Sequence, residues 1–147
     1  MRRVLLDTNV VLYAIGGPHP HAEPCRRLLA LAGEGGLALE APADLVQEVM
    51  HHRARRLGDR RQAAADARAA AALCRLHPVE PDDARVATEL FASSPTLSAR
   101  DAVFAAIAAR HGLAEIVSAD SDFDGLAQLR RIDPADSDAV ATLTSSA

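Results

Sequence analysis

Four acidic side chains stand in sequence contexts that suit the binding of a cation. Asp7 follows a short apolar run, Glu48 lies inside an apolar stretch, and Asp101 shares a helical stripe with apolar residues. Asp120 opens a segment that holds three acids in five residues. Two carboxylates about 4 Å apart repel each other by roughly 4 kcal/mol at an effective dielectric near 20, so acids that converge need a cation. We therefore predict one pocket in which these four side chains bind a divalent cation.

The oxygen donors of this set favour Mg²⁺ or Mn²⁺. These hard ions bind a few carboxylates and complete their coordination with water and substrate phosphate. Asn9, the single asparagine of the chain, could orient Asp7 by hydrogen bonds. Histidine ligation, which would favour zinc, is not indicated, because His19 and His21 lie in a proline-containing turn that we expect to be exposed.

Each acid also has a structural interpretation that needs no cation. Asp7 precedes a predicted helix, where an aspartate commonly accepts hydrogen bonds from the first backbone N–H groups. Glu48 could be a solvated flank of its helix, paired with a neighbouring histidine. Ser98 and Asp101 match a capping box, in which the acid bonds back to the first residue of the helix. Position in the sequence leaves both interpretations open for each acid.

The acid-rich segment that begins at Asp120 also fits a competing kind of site. Asp120, Asp122 and Asp124, followed by Gly125, match the first half of an EF-hand calcium loop. The glutamate required at the twelfth position is missing, because Arg131 stands there, and a strand rather than a helix is predicted before the loop. Both departures count against calcium. A non-catalytic metal-binding module of this calcium-loop kind, or an interaction module, is the alternative to an enzyme.

A cluster of arginines follows Glu48 in the sequence and could bind a polyanion. All 16 basic side chains are arginines, and the chain carries a net charge of −4. Residues 51–61 nevertheless carry +4, from five arginines against one aspartate. The planar guanidinium can bind two phosphate oxygens at once, although a solvated helical hairpin is the alternative. The arginines that we expect to contact such a polyanion are Arg53, Arg55, Arg56 and Arg100.

The elements that must position these residues alternate between strands and helices. Such alternation predicts a parallel sheet covered by helices, in which ligands bind at the carboxyl ends of the strands. Asp7 and Asp120 both follow predicted strands, so we expect them at that edge. The predicted strands are 4–6, 37–39, 78–80, 116–117 and 130–132. The predicted helices are 10–15, 22–32, one opened by Pro42 and broken at Gly58, 59–76, 82–93, 97–110 and 126–129.

Composition bounds the fold class and the cellular setting. The 147 residues fit one domain, and an apolar share of 49% is enough for a hydrophobic core, which excludes global disorder. An aromatic share of only 3% predicts a mostly helical α/β protein rather than an all-β one. Two isolated cysteines, no readable signal peptide and no apolar run near 20 residues predict a cytoplasmic protein without a membrane span.

The ordered set of acidic motifs resembles the PIN domain, and in particular the VapC-type toxins of bacterial toxin–antitoxin pairs. The set comprises LLDTN at 5–9, Glu48 on the next long helix, SARDA at 98–102 and SADSDF at 118–123. No single motif is specific for the family, whereas the order and spacing of the set are. The resemblance extends from the first strand to about residue 132. The resemblance implies a three-layer α/β/α sandwich around a short parallel sheet and a divalent-metal ribonuclease site.

The resemblance also assigns roles to individual residues. Asp122 matches a position that is often acidic and is a further expected metal ligand, and Ser118 takes the place of a common Thr or Ser. Asp124 has no firm family role and is left out of the site. The acids that match the family, and that we expect to be catalytic and metal-binding, are Asp7, Glu48, Asp101 and Asp120.

The biological role implied by the resemblance is that of a toxin. We expect a Mg²⁺- or Mn²⁺-dependent endoribonuclease that hydrolyses RNA phosphodiester bonds in a type II toxin–antitoxin system. Its expected partners are RNA, a small VapB-type antitoxin whose tail blocks the cleft, and a second copy of the chain in a homodimer. We expect the catalytic domain to span residues 1–133 and the polar segment 134–147 to be a partly frayed tail.

Overall fold

A parallel β-sheet forms the centre of the structure, a computed structural model that describes residues 1–145. Its strands are Arg3–Leu6 (β1), Ala38–Pro42 (β2), Cys74–His77 (β3), Glu115–Val117 (β4) and Arg130–Ile132 (β5). Their spatial order is β3-β2-β1-β4-β5, and every neighbouring pair is parallel. Val4, Leu5 and Leu6 are fully buried, because the central strand β1 is covered on both faces.

Helices flank this sheet and confirm the predicted α/β/α sandwich. They are Thr8–Ile15 (α1), Ala22–Gly33 (α2), Asp44–Leu57 (α3), Arg60–Leu73 (α4), Pro81–Ser93 (α5), Ala99–His111 (α6) and Ser137–Thr144 (α7). Contacts join α1 to α2 and α3, α3 to α4, and α5 to α6. Right-handed crossovers place α1 to α4 on one face and α5 and α6 on the other, because the chain reverses direction across the sheet after β3. Within residues 1–145, no helix has the length and apolarity needed to cross a membrane.

The reversal of chain direction creates a crevice between β1 and β4. From β1 the chain continues to β2 on one side, and it returns to β4 on the other side only after β3. Leu6 and Val117 lie opposite each other at the carboxyl ends of the two central strands. Ligands of open parallel sheets bind at such a switch point. Asp7 and Ser118, the residues that follow these strands, therefore lie where a site is expected.

Local signals fix the ends of the helices that carry the candidate residues. Gly58 ends α3 with a φ of 65°, a left-handed conformation that favours glycine. Asp59 then begins α4, and its carboxylate accepts a hydrogen bond from the backbone N–H of Gln62. Ser98 caps α6 in the same way, as the sequence predicted.

Two boundaries between β2 and β3 differ from the sequence prediction. Pro42 does not open α3: it is the last residue of β2, opposite His77, where the lack of an N–H donor costs little. The strand predicted at 78–80 lies instead at Cys74–His77. Residues 74–76 belonged to the helix predicted over 59–76. They form a strand instead, because they pair with β2.

The segment after β4 lacks the helix predicted at 126–129. A 3₁₀ helix over Ser121–Phe123 follows β4, and residues 126–129 form turns and irregular backbone. Leu129 is buried and Leu126 is half-buried. The apolar spacing that predicted a helix therefore reflects packing against the core.

The segment 134–147, predicted to be a polar tail, contains α7. Asp136 begins this helix by accepting a hydrogen bond from the backbone N–H of Ala139. Leu143 is buried in the main hydrophobic core, so the prediction of a tail is wrong for residues 137–144. Residues 146–147, to which the prediction of fraying applies, lie outside the described residues. The domain boundary at residue 133 stays a prediction.

A buried charge network joins the sheet to α6. Glu40 of β2 is 2% exposed; it accepts a hydrogen bond from Nη2 of Arg3 at 3.1 Å, and its Oε2 lies 2.6 Å from Nε2 of His77. The ring of His77 stacks on His111 at the end of α6, with centroids 3.7 Å apart. Hydrogen bonding by Arg3 lowers the pKa of Glu40 to about 2. This network involves none of the candidate site acids.

Candidate metal centre

Asp7 lies in the crevice between β1 and β4. Its backbone N–H donates to the carbonyl oxygen of Val117 at 3.0 Å, which extends the pairing of the two strands by one residue. Its side chain is buried and makes no capping hydrogen bond to α1. The interpretation of Asp7 as a helix cap is therefore wrong, and its carboxylate is available to the crevice.

Ser118, directly after β4, holds Asp7 in place. Its buried hydroxyl donates to Oδ2 of Asp7 at 2.7 Å. Oγ of Ser118 in turn accepts from the backbone N–H of Asp120 at 2.9 Å and from Nδ2 of Asn9 at 3.3 Å. Oδ1 of Asn9 accepts in turn from the backbone N–H of Ala119 at 3.3 Å. Both predicted supporting residues thus fasten the segment after β1 to the segment after β4.

Three aspartates converge on one point in this crevice. Single carboxylate oxygens of Asp101, Asp120 and Asp122 all lie within 4.8 Å of one another. Asp101 comes from the first turn of α6, where its backbone N–H donates to Oγ of Ser98 at 3.1 Å, and its side chain is buried. Asp120 precedes the 3₁₀ helix and accepts from the backbone N–H of Asp122 at 2.9 Å. The backbone N–H of Asp101 therefore takes part in the capping of α6, while its carboxylate belongs to the acidic cluster.

Glu48 brings α3 to the same crevice. Its side chain is 11% exposed, its Oε1 lies 3.3 Å from Nε of Arg100, and its Oε2 is buried without a hydrogen-bond partner in the described residues. The hydroxyl of Thr8 is also buried without a partner there. Burial raises the pKa of Glu48 and the nearby hydroxyl of Thr8 opposes this increase, although no hydrogen bond of good geometry joins the two side chains. Unsatisfied buried oxygens are rare in native proteins, and here they lie beside a cluster of acids.

Burial makes the charged forms of these acids unfavourable. It raises the pKa of Asp7 to about 6, against the hydrogen bond from Ser118, and the charges of Asp101 and Glu48 add to this increase. Burial also raises the pKa of Asp101 and of Glu48. The neighbouring charge of Asp120 raises the pKa of Asp101 further. The cluster therefore contains negative charge that only a nearby cation would compensate fully.

The donor set fits a hard divalent cation. In the described part of the chain, the cluster offers carboxylate oxygens, and neither a thiol nor an imidazole belongs to it. Oε2 of Glu48, which has no hydrogen-bond donor in the described residues, is a further carboxylate oxygen next to this set. Such an all-oxygen set suits Mg²⁺ or Mn²⁺ better than zinc. Of the five ligands predicted from the sequence, Asp101, Asp120 and Asp122 form the group whose oxygens lie within 4.8 Å of one another, and Asp7 and Glu48 lie outside that group.

Asp124 does not join the cluster, which argues against a calcium loop. Its two carboxylate oxygens accept hydrogen bonds from Nε and Nη2 of Arg131 at 2.6 and 3.2 Å. An EF-hand loop would need this carboxylate as a ligand. The segment also begins with a strand and a 3₁₀ helix instead of a helix and an open loop. Asp124 therefore pairs with Arg131 and lies outside the site, as predicted from the sequence.

Arg100 is the basic side chain that contacts the acidic cluster directly. Its Nε lies 3.3 Å from Oε1 of Glu48, and half of its side chain is exposed. Its charge opposes the increase that burial causes in the pKa of Asp7, Glu48 and Asp101. Arg100 thus acts as an internal counter-ion at the mouth of the site, a contact that the sequence did not predict.

The other predicted RNA-binding arginines differ from one another. Nε of Arg53 donates to Oδ2 of Asp66 on α4 at 2.9 Å, and its side chain is only 11% exposed. Arg53 therefore joins α3 to α4, and its contact with RNA stays a prediction. Arg55 and Arg56 are exposed, and within residues 1–145 no carboxylate lies within 4 Å of either guanidinium.

Sequence reasoning missed an aromatic stack near the end of α1. Tyr13 stacks on His19 with ring centroids 4.4 Å apart and on His21 with centroids 5.2 Å apart. His19 is exposed as predicted, whereas His21 is half-buried. The alternation of proline and histidine after α1 was the available signal, because it brings two imidazole rings back towards the helix end.

Comparison with known proteins connects this chain to a family. The sequence profile of the PIN domain matches residues 4–129. The chain is 39% identical over 133 residues to "Ribonuclease VapC7" of Mycobacterium tuberculosis, an alignment that covers 89% of this chain and 91% of the relative.

Solved structures share the fold at lower identity. Mycobacterium tuberculosis VapC20, described as a sarcin-ricin loop cleaving toxin, superposes with a TM-score of 0.67 at 19% identity, covering 86% of this chain and 98% of that one. VapBC2 from Rickettsia felis, bound to a DNA fragment from its promoter, superposes with a TM-score of 0.65 at 16% identity, covering 90% and 98%.

Proposed function

Because the chain belongs to the PIN-domain family, as a relative of the VapC ribonucleases, we propose that it is a Mg²⁺- or Mn²⁺-dependent endoribonuclease that hydrolyses RNA phosphodiester bonds. The observation that carries the proposal is the convergence of acids from separate elements on one crevice. Asp7 follows β1, Glu48 lies on α3, and Asp101 begins α6. Burial of negative charge without a function would be costly, and a cation that binds substrate phosphate gives it one.

The acids divide into two groups by burial. Asp7 and Asp101 are 3% and 2% exposed, and we assign them as direct ligands of the cation. Glu48, Asp120 and Asp122 are half-buried and bind the cation directly or through water. Ser118 fixes Oδ2 of Asp7, so Oδ1 is the oxygen left for the ion.

When bound, the divalent cation supplies positive charge that stabilises the charge developing on the scissile phosphate and on the leaving oxygen. The chain's own residues prepare this chemistry by fixed geometry. Ser118 and Asn9 hold the loops after β1 and β4 together, and Ser98 holds the first turn of α6, so the carboxylates of Asp7 and Asp101 need little rearrangement. The exposed guanidinium of Arg100 can contact the phosphate backbone once the cation neutralises Glu48.

RNA cleavage by matched variants tests the proposed activity. Purified protein should cut RNA in Mg²⁺ or Mn²⁺ and stop in EDTA, and Asp101→Asn should reduce cleavage by at least about a hundredfold. Asp124→Asn is the control, because Asp124 lies on the same loop as Asp120 but binds Arg131. Cleavage that survives both EDTA and Asp101→Asn would refute the assignment.

The proposed biological role is that of the toxin in a type II toxin–antitoxin pair in the cytoplasm. Relatives named VapC ribonucleases and a structural neighbour crystallised as VapBC2 support this role. We propose a VapB-type antitoxin as the partner that blocks the crevice, and a homodimer as the assembled toxin.

Growth of a bacterial host tests the role separately from the chemistry. Induced expression of the chain should stop growth, while Asp101→Asn at equal abundance should not. Co-expression of the neighbouring small reading frame, if it encodes the antitoxin, should restore growth. Equal growth arrest by the wild-type chain and by Asp101→Asn would refute a toxicity that depends on RNA cleavage.

A further inference from the structure

A basic cavity lies beside the candidate metal centre, between the end of α1 and the second half of α3. Its volume is about 670 Å³. Within the described residues its wall carries no acidic side chain. The side chains that matter for its chemistry are Tyr13, His19, His51, His52, Arg55 and Arg56. Such a wall suits an anion that also has an aromatic part.

This basic cavity adjoins a second cavity that reaches Glu48, one of the candidate ligands. His51 and His52 line it, and they also line a neighbouring cavity of about 480 Å³ together with Glu48 and Arg100. Glu48, His52 and Arg55 occupy positions i, i+4 and i+7 of α3, so they share one face of that helix. Seven residues of helix span roughly 10 Å. Two adjoining cavities thus run along α3 from Glu48 at the edge of the site to Arg55 and Arg56.

The arginines of the basic cavity are available to an anion. Arg55 and Arg56 are exposed, and in the part of the chain that the structure describes neither has a carboxylate within 4 Å. A Cβ atom placed on Gly17 would lie 3.3 Å from Nη2 of Arg56, so this guanidinium packs closely against the backbone of the wall. Two unpaired guanidinium groups about one helical turn from the histidines are suited to phosphate oxygens.

The aromatic side of the basic cavity is suited to a base. Tyr13 and His19 both line it, and their rings stack with centroids 4.4 Å apart and planes inclined by 25°. His19 is exposed. Single-stranded RNA is typically recognised by stacking of unpaired bases on Tyr, His and other planar side chains, with its phosphates on arginines.

We propose that the basic cavity binds a nucleotide of single-stranded RNA adjacent to the scissile phosphate, with the backbone on Arg55 and Arg56 and the base on His19 and Tyr13. The inference rests on the proposed function, because RNA cleavage at the metal centre is what would lead the RNA strand from this cavity towards the acids. The nucleotide bound in this cavity must be unpaired, because a base in a duplex could not reach the stack of His19 and Tyr13.

The salt dependence of RNA binding tests the phosphate contacts. A short fluorescein-labelled single-stranded RNA is titrated in EDTA, with its integrity checked on a gel. Arg55→Gln combined with Arg56→Gln should weaken binding about tenfold and reduce the slope of log affinity against log salt by about 1.4, or about 0.7 per phosphate. The matched control is Arg60→Gln combined with Arg61→Gln, an arginine pair from the same basic segment that does not line the cavity.

Substitution of His19 tests the stacking contact. His19→Ala should weaken RNA binding about fivefold without changing the salt slope, because stacking releases no counterions. His19→Phe should restore most of the affinity. A 2-aminopurine placed in the RNA should lose fluorescence on binding to the wild-type protein and to His19→Phe, and less so on binding to His19→Ala.

The outcomes separate this inference from the proposed function. Equal affinity and equal salt slope for the Arg55/Arg56 and Arg60/Arg61 variants would overturn the inference, and would leave the cavity to a protein partner instead. Cleavage of RNA with unchanged KM in the Arg55/Arg56 variant would also overturn it while the proposed function stands. RNA binding that needs Arg55 and Arg56 in a protein that cleaves nothing would support the inference and refute the proposed function.

Discussion

At the scale of single residues, Asp7 shows how a site can reduce stability. Its folded-state pKa of about 6, against 3.8 for a free side chain, makes its ionised form cost up to about 3 kcal/mol in the cation-free protein. That cost is absent below about pH 4, grows as the pH rises to about 6 and is constant above.

Asp7→Asn should therefore stabilise the cation-free protein while it abolishes cleavage. In EDTA, urea unfolding should show a higher free energy of unfolding for the variant at pH 7 and no difference at pH 3.5. Asp124→Asn is the control, because Arg131 lowers the pKa of Asp124 and the substitution should give no gain. Equal or lower stability of Asp7→Asn at pH 7 would contradict the assignment of burial cost to Asp7.

Arg100 competes with the cation for the same carboxylate. Its Nε lies 3.3 Å from Oε1 of Glu48, and the positive charge of its guanidinium repels a metal ion that approaches this carboxylate. Arg100→Gln should bind Mn²⁺ several-fold more tightly in a calorimetric titration and should raise KM for RNA. Arg85→Gln, which removes an exposed arginine paired with Glu89 on α5, should change neither value. Unchanged or weaker Mn²⁺ binding by Arg100→Gln would show that the contact with Glu48 does not limit cation entry.

At the scale of elements, the capping of α6 links stability to the position of Asp101. Oγ of Ser98 accepts from the backbone N–H of Asp101, and loss of such a cap costs about 1 kcal/mol. Ser98→Ala should lower the free energy of unfolding in urea by that amount. It should also reduce kcat about tenfold. Asp136→Ala removes the cap of α7, an element without candidate ligands, and should lose similar stability but retain cleavage. Equal cleavage by both variants would mean that the cap does not position Asp101.

The sequence predicted elements well where the signals were local. Gly58, Asp59 and Ser98 mark helix ends through their own backbone or side-chain chemistry. The prediction failed at Cys74–His77, because that strand forms only by pairing with β2. It also failed at α7, whose cap by Asp136 was a readable signal that the polar composition of the segment concealed.

At the scale of the whole molecule, the network around Glu40 joins β1, β2, β3 and α6. Glu40→Gln should cost about 2 kcal/mol in urea unfolding at pH 7, less than for a fully buried pair, because Arg3 is half exposed. Since the pKa of Glu40 falls to about 2, the wild-type protein should lose stability as the pH drops from 4.5 towards 2, and the variant should lose less. Glu89→Gln, at an exposed pair, should change stability by less than about 1 kcal/mol. A variant as stable as the wild type would contradict a structural role for the network.

The candidate site could be predicted from sequence only in part. Asp7 and Asp120 were placed by the rule that ligands bind at strand ends, and the order of motifs added Glu48 and Asp101. The contact of Arg100 with Glu48 could not be predicted, because it joins residues that are distant in the chain and depends on how α3 and α6 flank the crevice. The aromatic stack after α1 depends in the same way on the path of a turn.

The interleaved order of the strands has a consequence during protein synthesis. Asp7 and Asp120 are 113 residues apart, and β4, which places the second beside the first, pairs with β1 only after most of the chain exists. A nascent polypeptide on the ribosome therefore lacks Asp120 and Asp122 until translation is nearly over. A fragment that ends before β4 therefore cannot assemble the acidic crevice.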